Sequence, residues 1–108
     1  MTTYLLAWNP KRWHWDDLPD RVREIEQKGS TVRRWSCGNS TQIRQGDRLF
    51  LIRLGEEPKG ILASGNADSD WHEDSHWERN KARIGEMSHY VDVRFDALLT
   101  RRLKKSLE

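Results

Sequence analysis

The stretch DWHEDSHW, residues 70–77, contains two patterns that imply different chemistry. The H-E-x-x-H pattern from residue 72 to residue 76 has the spacing that, on a helix, gives two zinc ligands and a general base. Trp71 and Trp77 lie on either side of it. Two indoles bordering a polar segment are suited to stacking on a flat ligand such as a nucleobase. The first pattern indicates a metal site and the second an aromatic pocket.

The zinc interpretation requires His72 and His76 to lie on one face of a helix, with Glu73 beside a metal-bound water. The surrounding sequence GNADSDWHEDSHWERN has no apolar stripe along which such a helix would pack, and His89 is the only later histidine. A chain of 108 residues is also too short for a peptidase with a second lobe. A structural zinc site that includes Cys37 is an alternative. We expect the histidines to be ordinary loop residues, with no metal and no cofactor.

Tryptophan is over-represented in this small polar chain, which has six of them: Trp8, Trp13, Trp15, Trp35, Trp71 and Trp77. A core of this size cannot easily bury six indoles, each with an N–H to satisfy. Some are therefore expected at a binding surface. Stacking of one base on an aromatic ring is worth about 1–3 kcal/mol, and flipping a base out of a duplex costs a few kcal/mol. Two tryptophan walls and a few hydrogen bonds would offset that cost.

Trp35 is a candidate wall because it lies where a predicted strand ends. It follows Arg33 and Arg34 and precedes Ser36, whose hydroxyl could meet the edge of a base. A tryptophan in a strand is more often a core residue, so both roles are open. Asn9 ends the first predicted strand, and its amide can both donate and accept a hydrogen bond, as reading a cytosine or adenine edge requires.

Charge is unevenly distributed although the net charge is only +2. Residues 33–53 carry five basic and one acidic side chain, whereas residues 56–78 carry one basic and seven acidic ones. Such segregation predicts a basic face that meets phosphate beside an acidic face, unless both are simply solvated surface. The chain has no apolar stretch of membrane-spanning length and no visible secretory signal. Its one cysteine excludes internal disulfides and favours a reducing, cytoplasmic setting.

Alternation of apolar and polar residues predicts most of the secondary structure. One amphipathic helix is predicted over residues 16–29, ending at Gly29, and residues 66–88 are predicted to form a long loop. In the last strand, Val91, Val93 and Phe95 should face the core and Tyr90 the other way. The strands are predicted at TYLLAW (3–8), TVRRWS (31–36, an edge strand), LFLIRL (49–54) paired with KGILASG (59–65), and YVDVRFD (90–96). The predicted fold is a β-rich α+β domain of five or six strands with one main helix after the first strand.

The order of these segments resembles the EVE domain, a PUA-like fold related to the YTH readers of methylated adenine in RNA. The segments that carry the resemblance are AWNPKRW, RRWSCGN, GDRLFLIRLG, KGILASG and YVDVRFDALL, over roughly residues 3–99. The sequence is most like the N-terminal EVE domains of bacterial EVE-HNH endonucleases, which recognise modified cytosine in DNA. The resemblance implies a PUA-like mixed β-barrel over residues 1–99, followed by a basic tail or linker at 100–108.

The resemblance also implies a modified-base cage. Trp35 and Ser36 match the position of one cage wall in YTH readers, and Trp71 or Trp77, in the loop before the last strand, would supply the second, with a slight preference for Trp71. Asn9 would read the base edge. Two further tryptophans are expected near the mouth, one of them joining the helix to the sheet. The implied base-binding residues are Asn9, Trp13, Trp15, Trp35, Ser36, Cys37, Trp71 and Trp77.

The implied partner is double-stranded DNA that contains 5-methylcytosine or 5-hydroxymethylcytosine, bound in the bacterial cytoplasm without any chemistry by this chain. The intact protein would then be an endonuclease with its HNH domain beyond residue 108, and a homodimer is an oligomeric state open to it. A YTH-like reader of modified RNA is the main alternative. The residues expected to contact the DNA backbone are Lys11, Arg12, Arg33, Arg34, Asn39, Ser40, Arg44 and Arg53.

Overall fold

The computed structural model describes residues 2–57 and 59–98. It is a small α+β domain in which a curled six-stranded sheet, a half-barrel, is combined with two helices. The predicted tail at 100–108 lies outside the described residues. The elements are β1 (Thr3–Trp8), α1 (Leu18–Lys28), β2 (Thr31–Gly38), β3 (Arg48–Arg53), β4 (Gly60–Ala67), β5 (His72–Ser75), α2 (Arg79–Arg83) and β6 (Met87–Leu98).

Strand β6 organises the sheet because it pairs with three other strands. β2 pairs along one side of β6, whereas β4 and then β5 pair along the opposite side, all antiparallel. Val91, Val93 and Phe95 of β6 are fully buried, as their alternation predicts. These three side chains form the centre of the core.

Tyr90 departs from the predicted alternation, since it is buried although it was expected to face away from the core. Tyr90 is the strand partner of His72 in β5, and the Arg34 guanidinium lies 4.1 Å from the centroid of the Tyr90 ring. The Tyr90 hydroxyl donates a hydrogen bond to the Ser75 carbonyl oxygen at 2.7 Å. Strand β5 and an arginine therefore cover a ring that the sequence pattern had placed in solvent.

The strand order is β1-β3-β4-β6-β2, so that β1 and β2 are the two ends of the main strand path. β1 is parallel to β3, and the β3–β4 hairpin is antiparallel, as predicted. The position of β2 confirms that it is an edge strand. The indole N–H of Trp35, on β2, donates a hydrogen bond to the Ala7 carbonyl oxygen, on β1, at 3.1 Å. We call the region between these two strands the seam.

Helix α1 lies where its apolar spacing and end signals predict it. Pro19 occupies the first turn, and Gly29 ends the helix in the left-handed conformation with φ of 87°, donating its N–H to the Ile25 carbonyl. Leu18 is buried, and Val22 and Ile25 pack against the core. No helix among the described residues has the length and apolar character needed to cross a bilayer.

The prediction of a long loop over residues 66–88 is wrong. β4 continues to Ala67, and the segment then forms β5 and the five-residue helix α2. β5 has no buried side chain, and its strand conformation comes from backbone pairing with β6. A strand without an apolar face gives no alternation signal, which is why the sequence pattern missed it.

Gly65 should tolerate no side chain, because β4 and β6 approach closely at a register shift there. A Cβ at this position would lie 2.3 Å from the Arg94 carbonyl oxygen and 3.0 Å from the Phe95 Cα. We expect Gly65→Ala to lower the free energy of unfolding by about 3 kcal/mol, the upper range for overpacking. Urea denaturation followed by circular dichroism measures this loss.

Gly38→Ala is the matched control, since a Cβ at Gly38 would meet nothing within 4 Å and only its φ of 63° opposes the substitution. Its expected cost is about 1 kcal/mol, from the left-handed backbone alone. Equal losses for the two variants would contradict the close approach of β4 and β6.

Candidate ligand-binding cleft

A cavity of about 730 Å³ lies at the seam, where the two end strands approach each other without a ladder between them. We call it the seam cleft. Its volume is within the range of about 300–1,000 Å³ that is typical of small-molecule sites. Its lining comprises Leu5, Leu6, Ala7, Trp8, Asn9, Arg12, Trp13, Arg33, Arg34, Trp35, Ser36, Cys37, Gly38, Leu54, Trp77 and Tyr90.

Trp35 belongs to the cleft and to the core at the same time. It lines the cleft, yet only 6% of its surface is exposed. Its ring packs edge-on against Trp13, with centroids 5.3 Å apart, and lies 4.7 Å from that of Trp15. Trp35 is therefore a core residue that also lines the cleft, and its role as a ligand wall stays a prediction.

Trp13 and Trp15 have different positions although only one residue separates them. Trp13 lines the cleft, whereas Trp15 is buried beneath it and packs against Trp8 and Phe95. The prediction that Trp15 contributes to the base-binding surface is corrected here, because its ring is enclosed by the core. Trp15 fits instead the predicted role of joining the helical side of the domain to the sheet.

Trp77, not Trp71, lines the seam cleft. The ring of Trp77 is stacked on His76, and the Arg12 guanidinium lies 5.5 Å from its centroid. Trp71 packs on His89, with ring centroids 4.7 Å apart, and has no position in the cleft lining. The slight preference for Trp71 as the second wall is therefore reversed, because Trp71, directly before β5, packs outside the cleft, whereas Trp77, after β5, lines it.

The predicted polar residues Asn9, Ser36 and Cys37 all line the cleft. The Asn9 side-chain oxygen accepts a hydrogen bond from the Lys11 backbone N–H at 3.0 Å, which fixes the orientation of the amide. The Ser36 hydroxyl oxygen lies 3.3 Å from that of Ser88. Burial raises the pKa of the Cys37 thiol above its usual value, so this side chain is a neutral thiol at pH 7. The cleft thus offers hydrogen-bonding groups of fixed position and no reactive thiolate.

Three arginines line the cleft, and each is paired with a carboxylate; we call these the rim pairs. The nitrogen–oxygen distances are 2.6 Å for Arg12 and Glu78, 3.1 Å for Arg33 and Asp17, and 2.9 Å for Arg34 and Asp74. The guanidinium of Arg33 also lies 5.0 Å from the ring centroid of Trp13 and within 6 Å of those of Trp15 and Trp35.

The carboxylates of two rim pairs have lowered pKa values. A hydrogen bond from the Ser75 backbone N–H, followed by the contact with Arg34, lowers the pKa of Asp74. The hydrogen bond from Arg12 lowers the pKa of Glu78. Because a depressed pKa favours the ionised form, both carboxylates are negative at neutral pH and hold their arginines there.

Other residues predicted to contact DNA do not lie on the cleft. Arg53 is only 3% exposed, its guanidinium lies 5.6 Å from the Trp8 ring centroid, and it pairs with Glu56 at 3.4 Å. The prediction that Arg53 binds phosphate is wrong, because a buried guanidinium cannot reach a duplex. The remaining four are outside the cleft lining: Lys11, Asn39, Ser40 and Arg44.

The H-E-x-x-H pattern has the wrong conformation for a zinc peptidase. His72 begins β5, so residues 72–75 form a strand and not the required helix. Four residues of extended chain span about 13 Å, which separates His72 from His76. His72 is 3.6 Å from Asp92, and His76 accepts the Glu78 backbone N–H through Nδ1. Within residues 2–57 and 59–98, no three His, Cys, Asp or Glu side chains, Cys37 included, are grouped as metal ligands.

Several residues that line the cleft have no predicted binding role. Trp8, Leu54 and Tyr90 line the cleft, but the sequence patterns predict no binding role for Trp8 and only a strand position for Leu54 and Tyr90. The available signal was that Trp8 ends β1 and directly precedes Asn9, which has a predicted role at the cleft. The acidic partners of the rim arginines had no such signal, because Glu78 is 66 residues from Arg12.

Comparisons of the chain with protein-family models, with curated proteins and with solved structures found no match. What the cleft binds is therefore inferred from its own residues and from the resemblance described above.

The hydrogen bond across the seam should contribute measurably to stability. Trp35→Phe keeps a buried ring but removes the N–H donor to Ala7, so we expect the free energy of unfolding to fall by about 1–2 kcal/mol. Trp35→Ala should cost about 3–5 kcal/mol, as for other buried tryptophans. Urea denaturation measures both losses. Trp71→Phe is the control, and a Trp35→Phe variant as stable as this control would contradict a role for the seam bond.

Proposed function

We propose that this chain is a PUA-like EVE domain that binds duplex DNA containing 5-methylcytosine or 5-hydroxymethylcytosine, with the modified base flipped into the seam cleft. The observation that carries the proposal is the convergence of Trp35 and Trp77, from β2 and from the segment after β5, on one cavity. Asn9 and Ser36 line the same cavity and provide an amide and a hydroxyl for the edge of a base.

The energetics of base flipping are compatible with such a cleft. Removing a base from the stack costs a few kcal/mol, and stacking on one aromatic ring returns about 1–3 kcal/mol. Trp13, Trp35 and Trp77 supply more than one aromatic surface. A methyl group that enters an apolar pocket adds up to about 0.8 kcal/mol. Discrimination between cytosine and 5-methylcytosine must therefore depend on the shape of the cleft as well as on burial of the methyl group.

The basic side chains of the cleft support the proposal of a duplex partner. Arg12, Arg33 and Arg34 line the cleft from two sides of the seam, so phosphates next to a flipped base would meet them. Phosphate contacts of this kind supply affinity and orientation without reading sequence.

The resemblance to EVE-HNH endonucleases supports a wider role, in which the domain directs an HNH nuclease to modified DNA. In this proposal the chain binds and does not cut, and the catalytic domain lies beyond residue 108 of the intact protein. The setting is the cytoplasm of a bacterium.

A reader of modified RNA is the second candidate, because the YTH readers have a related fold and an aromatic cage. Fluorescence anisotropy with methylated duplex DNA and with methylated single-stranded RNA distinguishes the two functions. We expect tighter binding to the duplex at equal salt. Tighter binding to the RNA would contradict the DNA proposal and support the alternative.

Replacing the second wall should remove the preference for modified DNA. Loss of one stacking surface, worth about 1–3 kcal/mol, predicts that Trp77→Ala weakens binding to the 5-methylcytosine duplex by about tenfold or more. Affinity for the unmodified duplex should change little, since backbone contacts remain. Trp71→Ala is the matched control, because Trp71 is also half-buried but lies outside the cleft. If only the Trp71→Ala variant lost the preference for the 5-methylcytosine duplex, Trp71 and not Trp77 would be the second wall.

The rim arginines should control the salt dependence of binding. Arg12 and Arg34 are the more exposed of the three, so Arg12→Gln with Arg34→Gln tests phosphate contact while Arg33 keeps its ring contacts. We expect weaker binding to all duplexes alike. The log–log salt slope should become less steep by at most about 1.8, the value for two phosphate contacts that no carboxylate opposes, at about 0.9 each.

Dissociation constants measured between about 50 and 300 mM salt give the slope. The control variant carries Arg48→Gln and Arg94→Gln, which remove the same charge from ion pairs outside the cleft. An equal change of slope in the control would mean that the rim has no special part in phosphate binding.

A further inference from the structure

The rim pairs have a consequence for DNA binding because every arginine of the cleft already holds an anion. Glu78 binds Arg12 across 66 residues of sequence, and Asp74 binds Arg34 across 40. Asp17 binds Arg33 from the segment before α1. Each pair joins two separate segments of the chain, and the arginine of each pair lines the cleft.

The three carboxylates are also held by second partners. Glu78 is 3.5 Å from the Lys81 ammonium, and Asp17 is 3.4 Å from Arg21. The Asp74 carboxylate accepts the backbone N–H of Ser75 at 2.8 Å. A carboxylate fixed by a second contact remains beside its arginine and does not simply swing away into solvent.

We propose that Asp17, Asp74 and Glu78 set the affinity threshold of the cleft by competing with DNA phosphates for Arg12, Arg33 and Arg34. This inference rests on the proposed function. Its effect is to weaken backbone binding for every duplex by a common factor. Unmodified DNA then stays unbound at protein concentrations that still bind DNA with a base in the cleft.

The competition follows from the chemistry of the guanidinium group. Carboxylate and phosphate oxygens accept the same charge-assisted hydrogen bonds from arginine, so a phosphate either displaces the carboxylate or binds the remaining N–H groups beside its negative charge, and both lower the affinity. The displaced carboxylate takes up a cation from solution. That uptake opposes the counterion release that normally drives binding to DNA, so the salt dependence of the native protein is shallower than its arginine content implies.

Neutral replacement of the three carboxylates tests the inference directly. We expect the variant with Asp17→Asn, Asp74→Asn and Glu78→Gln to bind modified and unmodified duplexes more tightly by the same factor. An exposed ion pair changes an equilibrium by about 1.5- to 5-fold, so three together should give about tenfold. The log–log salt slope should become steeper than that of the native chain, because no carboxylate then opposes the release of counterions from the phosphates.

The control variant has the same change of net charge away from the cleft. It carries Asp20→Asn, Asp68→Asn and Asp96→Asn, each of which removes the partner of an arginine outside the cleft lining, namely Arg23, Arg94 and Arg48. Fluorescence anisotropy with matched unmodified and 5-methylcytosine duplexes gives all the dissociation constants. The rim variant should exceed the control in affinity by several-fold for both duplexes.

Equal affinities of the rim and control variants would overturn the inference, since net charge alone would then account for the gain. An unchanged affinity of the rim variant would overturn it as well. If Asp17→Asn prevents folding, the variant with Asp74→Asn and Glu78→Gln serves, with an expected gain of about fivefold. The proposed function is judged separately: it fails if the native chain shows no preference for the modified duplex, whatever the rim variant does.

Discussion

The hydrogen bond from the Trp35 indole to the Ala7 carbonyl joins the two end strands of the sheet, and the cleft is built around it. β1 and β2 are the ends of the main strand path, and the strand pairing passes from one to the other only through β3, β4 and β6. A side chain therefore bridges a position that a backbone ladder would occupy in a closed barrel. Because no ladder fills the seam, a cavity remains there, and residues from both end strands line it.

Core packing and the candidate site use the same aromatic residues. Trp35 contacts Trp13, Trp15 and Phe95, so one indole belongs to the core cluster and also lines the cleft. Sharing in this way fixes the Trp35 ring rigidly, which under the proposed function would lower the entropy cost of binding a flat ligand. It also means that truncating Trp35 changes stability and binding together. Trp77, which is less enclosed, separates the two effects.

Local patterns predicted the parts of the fold in which apolar burial decides the structure. Val91, Val93 and Phe95 alternate and are buried, and α1 ends at Gly29 as its sequence indicates. β5 escaped prediction because backbone pairing alone makes it a strand. In the site, the position of Trp35 at the end of a strand predicts that it lines the cleft. Only tertiary contacts distinguish Trp77, which lines the cleft, from Trp71, which does not. The rim pairs depend on residues far apart in sequence, which local patterns cannot connect.

Binding to four matched duplexes tests the central claim, that the seam cleft takes a modified cytosine. The four duplexes differ only in the base pair at one position, in which the varied base is cytosine, 5-methylcytosine, 5-hydroxymethylcytosine or N6-methyladenine. The account predicts that at least one modified-cytosine duplex binds more tightly than the cytosine duplex by about fourfold or more, the contribution of one buried methyl group. Equal affinity for all four duplexes, or a preference for N6-methyladenine alone, would contradict it.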